Sequence, residues 1–542
     1  MPSKIKDHKI LLLSLTPFFL AVLIMVPRLV SAQFSLLDDG IMLVNTQRIL
    51  DRDFTMAEDL QAGRLRPFYW FYYTLIYLLA GMNPFWFYVG HLALFLILLL
   101  QIRLIMKTLE ATHLQIFITS LAFILAMPII ENFYTLSKGE PLQLVFLLAA
   151  VLTLLKPARK IRLWRALLIF ICTLSAILVK ETALAIVPLA LAWWLFLHIR
   201  AQKTDKSERQ SALAFFMAAA GAAMVYLIIR RNSGAAPLTG GTYTEKYSLS
   251  FEAILANAKR WVTQLAFYFN YLIPLLIVFV LIAMKREFYQ AGQNRKFVFW
   301  VLWTLFWVIS FLPWGFAEIY YLLPFSLGIA FLVGLISPWA GRLTRESNKG
   351  IRLSAYISLG AAFILLILTL GTYRTHAMAQ LAIDDADQQM LAYTSKNTPE
   401  NGRVFIGLET EKEYVQNIRI FLQDHYRRAD ITFDFVSVKT LERLHWYPDG
   451  ILVLPKVIHL PDLLPRTGVD ETFTMAWAEV ILHTMEGRLK GLQEFNNQFR
   501  LSSSNLPVIT CMFFGDSGFS DDPDPVFDTR VFTYGWDIYQ IK

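Results

Sequence analysis

The order of hydrophobic and polar residues divides the chain into a long apolar part and a mixed C-terminal part. Eleven apolar runs, bounded by charged residues, proline or glycine, predict membrane spans, with the shorter runs extended by flanking polar residues. They cover residues 10–30, 85–106, 114–130, 141–155, 163–179, 182–198, 212–229, 265–284, 297–311, 319–336 and 353–370. The pattern predicts a mostly α-helical polytopic membrane protein with about 11 transmembrane helices.

The segment RPFYWFYYTLIYLLAG, residues 66–81, is apolar enough to span a membrane but is crowded with aromatic residues. Tyrosine and tryptophan collect at the level of the lipid headgroups, and an additional span here would disturb the charge pattern of the later loops. We therefore expect an interfacial or re-entrant helix.

The basic residues predict which side of the membrane each loop faces. With the N terminus in the cytoplasm, inner loops carry 22 of the 34 lysines and arginines that precede residue 371. This agrees with the positive-inside rule. The first run is followed by VSAQ, which a signal peptidase can accept, but its length of about 20 residues favours an uncleaved first span. Asp38 and Asp39 then lie on the external side.

The acidic residues are distributed more unevenly than the basic ones. None of the 18 acidic residues before residue 371 falls inside a predicted span. Twelve are predicted on the external face: Asp38, Asp39, Asp51, Asp53, Glu58, Asp59, Glu131, Glu140, Glu181, Glu245, Glu252 and Glu318. Most of the titratable chemistry of the membrane domain is thus expected on one face.

Composition supports this division and excludes one class of partner. The chain is 56% hydrophobic and only 17% charged, which is too apolar for a soluble globular protein. The net charge is +16 up to residue 370 and −8 after it. Because the positive charge belongs to the membrane part, a nucleic-acid partner is not expected.

The remainder of the chain, residues 372–542, alternates strand and helix signals. RVFIGL, ITFDFVSV and GILVLP are typical of strands, and EYVQNIRIFLQDHY is typical of an amphipathic helix. We therefore divide the chain into a transmembrane domain, 1–371, and a C-terminal soluble α/β domain, 372–542. The odd number of spans places this second domain outside.

Asp38 and Asp39 follow the first span directly and admit two interpretations. Aspartate is a favoured helix N-cap, and DDGIMLVNTQRIL resembles the beginning of a helix. A carboxylate just outside the bilayer can also act as a general base on an acceptor hydroxyl, or hold a divalent cation. The two interpretations are compatible if one aspartate caps and the other reacts.

Other polar residues gather in the later external loops. Lys138 and Lys180 can bind a lipid phosphate, although lysine beside glutamate at a helix end is also typical of a snorkelling pair. External arginines run against the positive-inside bias and so favour a phosphate partner. The candidate binding residues are Arg66, Glu131, Lys138, Glu140, Lys180, Glu181, Glu318 and Tyr320.

Several cofactor chemistries lack their motifs. The sequence contains no Walker loop, no GxGxxG after a strand, no CxxC and no HExxH. A donor that arrives in the membrane on a lipid needs none of these. No cofactor is therefore assigned, and a divalent cation stays open.

These elements together resemble the GT-C superfamily of polytopic membrane glycosyltransferases, which take a sugar from a polyprenyl-phosphate carrier on the external side. The matching elements are the acidic pair in the first loop, GRLRPFYW, LAGMNPFWFYVGHLALF, SKGEP, LVKETALAIVPLAL and EIYYLLPFSLG. The resemblance extends over residues 10–370 and rests on the order and sidedness of these motifs.

The resemblance implies roles for particular residues. A first-loop aspartate, Asp38 or Asp39, would deprotonate the acceptor in an inverting displacement, and Lys138, Lys180 or Arg66 would contact the donor phosphate. Many relatives carry a basic residue before the tyrosine of the last motif, whereas this chain has Glu318 and Ile319. The implied partners are a lipid-linked sugar, membrane lipids, and a glycan, lipid or protein acceptor.

Three other functions fit parts of the sequence. A transporter or flippase usually carries ionisable groups at mid-membrane, and the predicted spans have no carboxylate there. An O-antigen ligase or polymerase fits the acidic first loop less well. A membrane scaffold would present the C-terminal domain to a partner. The chain has no Asn-x-Ser/Thr sequon, which favours a bacterial inner membrane with a periplasmic C-terminal domain.

Overall fold

The computed structural model describes most of the helical part and pieces of the C-terminal part. The described residues are 2–36, 38–53, 59–60, 63–155, 163–200, 206–234, 247–285, 293–315, 318–407, 412–436, 450–455, 469–474 and 536–541.

Helices dominate these residues. In chain order they are α1 (Pro2–Val30), α2 (Asp39–Leu50), α3 (Pro67–Ala80), α4 (Pro84–Thr108), α5 (His113–Ile124), α6 (Pro128–Phe133), α7 (Glu140–Leu155), α8 (Leu163–Val179), α9 (Ile186–Ile199), α10 (Lys206–Asn232), α11 (Phe251–Tyr268), α12 (Leu272–Ala283), α13 (Gln293–Ser310), α14 (Leu323–Leu343), α15 (Lys349–Asn397) and α16 (Lys412–Ile420). Short 3₁₀ turns precede α9 and α14, at Glu181–Ala185 and Ile319–Leu322.

The chain is an integral membrane protein with several candidate spans. Among the described residues, six helical segments are long and apolar enough to cross a bilayer: Leu13–Val30, Pro84–Thr108, Glu181–Ile199, Lys206–Asn232, Ile319–Leu343 and Lys349–Asn397. Four apolar helices are shorter: His113–Ile124, Glu140–Leu155, Leu163–Val179 and Leu272–Ala283. Ten of the eleven predicted runs coincide with these segments, and the run at 297–311 lies in α13.

Prolines explain why several predicted runs are interrupted. A proline inside a helix removes one backbone hydrogen bond and clashes with the preceding turn, but it is well tolerated in the first turn. Pro128 begins α6, Pro324 lies in the first turn of α14, and Pro274 follows the break between α11 and α12. The breaks place Glu131 in the short helix α6 and Tyr320 in the 3₁₀ turn before α14.

The aromatic segment forms α3, as predicted. Its N-terminal part buries Tyr69, Trp70 and Tyr73, whereas Phe71 and Leu79 are exposed. It packs against α2, α4 and α8. Its interfacial position stays a prediction.

The predicted C-terminal strands are confirmed in the described residues. A five-stranded sheet has the order β2, β1, β3, β5, β4, with parallel pairs β1/β2 and β1/β3 and antiparallel pairs β3/β5 and β4/β5. The strands are β1 (Arg403–Gly407), β2 (Thr432–Val436), β3 (Ile451–Pro455), β4 (Val469–Thr474) and β5 (Trp536–Ile541). The single helix α15 runs through residues 371 and 372, and the division into domains there stays a prediction.

One hydrophobic core joins the first loop, α3 and the C-terminal residues. Met42 and Leu43 of α2 lie in the same buried cluster as Tyr73 of α3 and Ile418 of α16. The elements that follow the first span are therefore packed directly against the C-terminal part of the chain.

A buried ion pair reinforces this junction. Arg28 near the end of α1 and Asp384 in α15 are both fully buried and form a salt bridge. The guanidinium carbon of Arg28 lies 4.1 Å from the ring centroid of Tyr88, and Gln380 Nε2 donates to Asp384 Oδ1 at 3.0 Å.

We expect Asp384→Asn to lower the free energy of unfolding by about 3–5 kcal/mol, because it leaves the Arg28 charge buried without its partner. Thermal unfolding of the purified protein in detergent measures this. Asp385→Asn is the matched control, since Asp385 is exposed on the next position of α15. Equal shifts of the unfolding temperature in the two variants would show that the Arg28–Asp384 ion pair contributes no more to stability than exposed Asp385 does.

Candidate functional site

Asp38 and Asp39 have different environments. Asp38 occupies the N-cap position of α2, but its side chain makes no capping hydrogen bond. It is partly exposed, and its Oδ2 accepts a hydrogen bond from Ser137 Oγ at 3.3 Å. The carboxylate of Asp38 is thereby directed to the loop that carries Lys138.

Asp39 is 1% exposed and points toward the end of α1. Its Oδ2 accepts a hydrogen bond from the backbone N–H of Ser35 at 2.8 Å. Burial raises the pKa of Asp39 to about 8, and the charges of Asp384 and Asp38 act in the same direction. Asp39 therefore belongs to the buried junction around Arg28.

Among the candidate cations, Lys138 is connected to Asp38 through the fewest contacts. It follows Ser137, whose φ of 27° is a strained value for a residue other than glycine. The Lys138 ammonium lies 4.2 Å from the ring centroid of Tyr320. Within the described ranges Lys138 has no ion pair, although its charge also acts on Glu131.

Lys180 contacts the same tyrosine. Its ammonium is 5.0 Å from the Tyr320 ring and 4.6 Å from the Tyr321 ring, and it forms a salt bridge with buried Glu140. Burial lowers the pKa of Lys180 to about 8, although the charge of Glu140 opposes this. Gln143 Nε2 donates to the Lys180 carbonyl at 2.7 Å and fixes the turn.

Arg66 uses its guanidinium inside the protein. Its Nε and Nη2 donate to the two carboxylate oxygens of Asp59 at 3.1 and 2.6 Å, and Trp70 Nε1 donates to Asp59 at 2.6 Å. Burial favours a neutral Asp59, but the charge and hydrogen bonds of Arg66 outweigh it and lower the pKa of Asp59. The charge of Glu181 acts on both Arg66 and Lys180.

Glu131 and Glu318 lie around the same group of residues. Glu131 faces His376 of α15, with 3.3 Å between Oε1 and Nδ1, and the charge of Lys138 also acts on it. Glu318 is exposed and immediately precedes the turn that carries Tyr320. The backbone carbonyl of Tyr320 accepts from Asn132 Nδ2 at 3.0 Å, which holds this turn against α6.

The predicted residues thus form one connected group. Contacts run from Asp38 through the Ser137 loop to Lys138, Tyr320, Lys180 and Glu140, and charge interactions add Glu131, Glu181 and Arg66. Among the described residues no group of three or more histidine, cysteine, aspartate and glutamate side chains is arranged to hold a metal ion. The suggested divalent cation stays untested.

Sequence reasoning missed several members of the group. Ser137 lies within the SKGEP motif but received no role, and Tyr69 faces the charges of both Arg66 and Asp38. His376 and Asp384 follow the last apolar run and carry no local signal. Only the fold brings α15 back to the first loop.

The chain is similar to solved structures of two other proteins. The structure of ArnT from Cupriavidus metallidurans bound to undecaprenyl phosphate gives a TM-score of 0.47 at 11% identity, covering 85% of this chain and 96% of ArnT. Its apo structure gives 0.46 at 12%, covering 87% and 97%. Arabinofuranosyltransferase AftD from Mycobacteria gives 0.45 at 14%, covering 86% and 37%. No protein-family model and no curated protein sequence matches the chain.

We expect the buried Asp39 to make stability depend on pH. Its pKa is about 8 in the folded chain against an ordinary value of 3.8, so the folded state holds the proton more tightly. This stabilisation is fully present below pH 3.8 and is lost as the pH rises through about 8. The unfolding temperature should therefore fall over this range, and less steeply in Asp39→Asn.

Thermal unfolding in detergent at several pH values tests this. Asp51→Asn, at the exposed C-terminal end of α2, is the control and should follow the parent protein. If the unfolding temperature of the parent changed as little with pH as that of Asp39→Asn, the expectation would be contradicted.

Proposed function

We propose that this protein is a membrane glycosyltransferase that moves a sugar from a polyprenyl-phosphate carrier to an acceptor on the external face. The acceptor hydroxyl attacks the anomeric carbon, the bond from that carbon to the phosphate oxygen breaks, and the phosphate leaves on the polyprenyl chain. The configuration at the anomeric carbon is inverted in this single displacement. The observation that carries the proposal is the contact chain from the Asp38 carboxylate to Lys138 beside Tyr320.

Asp38 is the better general base of the two aspartates. A base must come within hydrogen-bond distance of the hydroxyl that it deprotonates. Asp38 is partly exposed and faces the Ser137 loop, whereas Asp39 is buried and already accepts the Ser35 N–H. In the proposed reaction the acceptor proton passes to a carboxylate oxygen of Asp38.

Lys138 is the residue to which we assign the leaving phosphate. An ammonium group that packs on an aromatic ring without an ion pair has donors left for an incoming anion, and charge-assisted hydrogen bonds to phosphate are among the stronger ones in proteins. Lys180 adds positive charge beside Tyr320, with Glu140 holding it in place. The Arg66 guanidinium already binds Asp59, so we propose that Arg66 keeps the site in shape and does not contact the phosphate.

The remaining predicted residues surround this reaction. The Tyr320 ring contacts both lysines, and we assign the carboxylates Glu131, Glu181 and Glu318 to hydroxyl groups of the sugar or acceptor. With about 11 spans, a cytoplasmic N terminus and a periplasmic C-terminal domain in a bacterial inner membrane, the group lies on the external side. The transferred sugar is a hexose or pentose, and the acceptor is a lipid-linked glycan, a cell-envelope polysaccharide or a protein.

We expect Asp38→Asn to lower the transfer rate by about 10²–10⁴, the usual contribution of general acid–base catalysis. The assay reconstitutes the full-length protein with undecaprenyl-phosphate hexoses and pentoses and a bacterial envelope extract as acceptor, and it measures release of undecaprenyl phosphate. Asp51→Asn in the same loop should retain parental activity. Equal activity of Asp38→Asn and the parent would refute the base assignment.

Lys138→Gln should reduce kcat/KM by about tenfold to a hundredfold. This is the loss expected when one charge-assisted hydrogen bond to the phosphate is removed. The same assay measures kcat/KM across donor concentrations. Lys259→Gln is the control, because the Lys259 side chain is exposed on α11. If the parent moves labelled lipid across the membrane without releasing undecaprenyl phosphate, the protein is a transporter or flippase instead.

A further inference from the structure

The N-terminus of α2 is capped by a residue from the other end of the chain. Asp38 is the N-cap residue by position, and its side chain would ordinarily accept a hydrogen bond from an N–H of the first turn. It makes no such bond. The N–H of Ile41, two residues after the first residue of α2, donates instead to Oδ1 of Asn417 in α16, at 2.9 Å.

The contact between Asn417 and α2 is closely packed. Asn417 is fully buried, and Gly40 is buried beside it. A Cβ added to Gly40 would fall on the amide oxygen of Asn417, at less than any normal contact distance. Glycine at this position therefore gives Asn417 the room to reach the N–H of Ile41.

We propose that Asn417 is a positioning residue, which caps α2 in place of Asp38 and so keeps the Asp38 carboxylate free to act as the base. This inference rests on the proposed function for its kinetic consequence but not for the capping itself. It also gives the C-terminal domain a defined part in the reaction: its helix α16 holds the acidic loop in its reactive arrangement.

Without the Asn417 side chain, Asp38 should itself form the side-chain cap of α2. The Ile41 N–H would then lack an acceptor, and the ionised Asp38 side chain would rotate to satisfy it. A side-chain N-cap favours the capped state by about fivefold. The fraction of Asp38 that is ionised and free should fall by about that factor.

The pH profile distinguishes this mechanism from a general structural defect. When capping competes with catalysis only for ionised Asp38, the plateau rate falls about fivefold and the apparent pKa of the acid limb falls by about 0.7. On the acid limb, where Asp38 is mostly protonated, the profiles of variant and parent should converge. A variant whose site is only loosened would instead have its rate reduced by the same factor at every pH.

The charged and titratable neighbours of Asp38 are the same in every variant. They are Asp39 on α2, Tyr69 on α3 and, through Ser137, the loop of Lys138. Their electrostatic effects on Asp38 therefore cancel in the comparison of the profiles.

The experiment measures kcat between about pH 4 and pH 9 for the reconstituted full-length parent, Asn417→Ala and Gly40→Ala, with undecaprenyl-phosphate sugar donors. Gly40→Ala displaces the Asn417 amide without a substitution in α16. Gln423→Ala is the control, because Gln423 lies in the π-helical turn Phe421–His425 directly after α16 and accepts a hydrogen bond from Arg419 Nε at 3.2 Å. Converging profiles in both variants support the inference; parallel profiles, or no change in either, overturn it.

Hydrogen exchange separates failure of this inference from failure of the proposed function. Peptides that cover residues 39–50 should exchange faster in the double variant Asp38→Ala with Asn417→Ala than in Asp38→Ala alone, because neither residue then caps α2. If no sugar donor is turned over, the proposed function fails while faster exchange still supports capping by Asn417. Unchanged exchange overturns the capping role whatever the activity.

Discussion

The buried ion pair between Arg28 and Asp384 joins the end of the first helix to the last long helix. Removing two charges from water is costly, so such a pair persists only where further polar groups complete it. Here Tyr88, Gln380 and the backbone of Gln33 contribute hydrogen bonds. The short loop between α1 and α2 is consequently fixed at both ends, and the acidic pair that follows it has a defined orientation relative to the later helices.

This junction gives two adjacent aspartates different chemistry. Asp39 is buried and accepts the N–H of Ser35, and burial raises its pKa although this hydrogen bond and the charge of Arg28 act in the opposite direction. Asp38 is left at the surface of the group, facing Ser137. Two like charges side by side would repel each other, and burying one of them as a neutral acid removes much of that repulsion. The same contacts therefore provide a stable loop and one exposed carboxylate.

Much of the fold was predictable from the sequence because apolar runs and strand alternation are local signals. The runs predicted ten apolar helical segments, and three short motifs predicted β1, β2 and β3. The prolines that divide the runs are visible too, but their effect on helix ends was not used. The site was predictable only as a set of residues on one face. Contacts that depend on α15 and α16, such as Asp384 with Arg28 and Asn417 with Ile41, join residues over 350 positions apart and leave no local pattern.

The central claim is that Lys138 binds the leaving phosphate and that Asp38 takes the proton of the acceptor hydroxyl. An electron cryomicroscopy structure of the full-length protein with undecaprenyl phosphate tests it most directly. The account predicts the phosphate within hydrogen-bond distance, about 3 Å, of Lys138 Nζ, with the Asp38 carboxylate facing the space beside it. A phosphate bound elsewhere, with Lys138 still directed only at Tyr320, would contradict it.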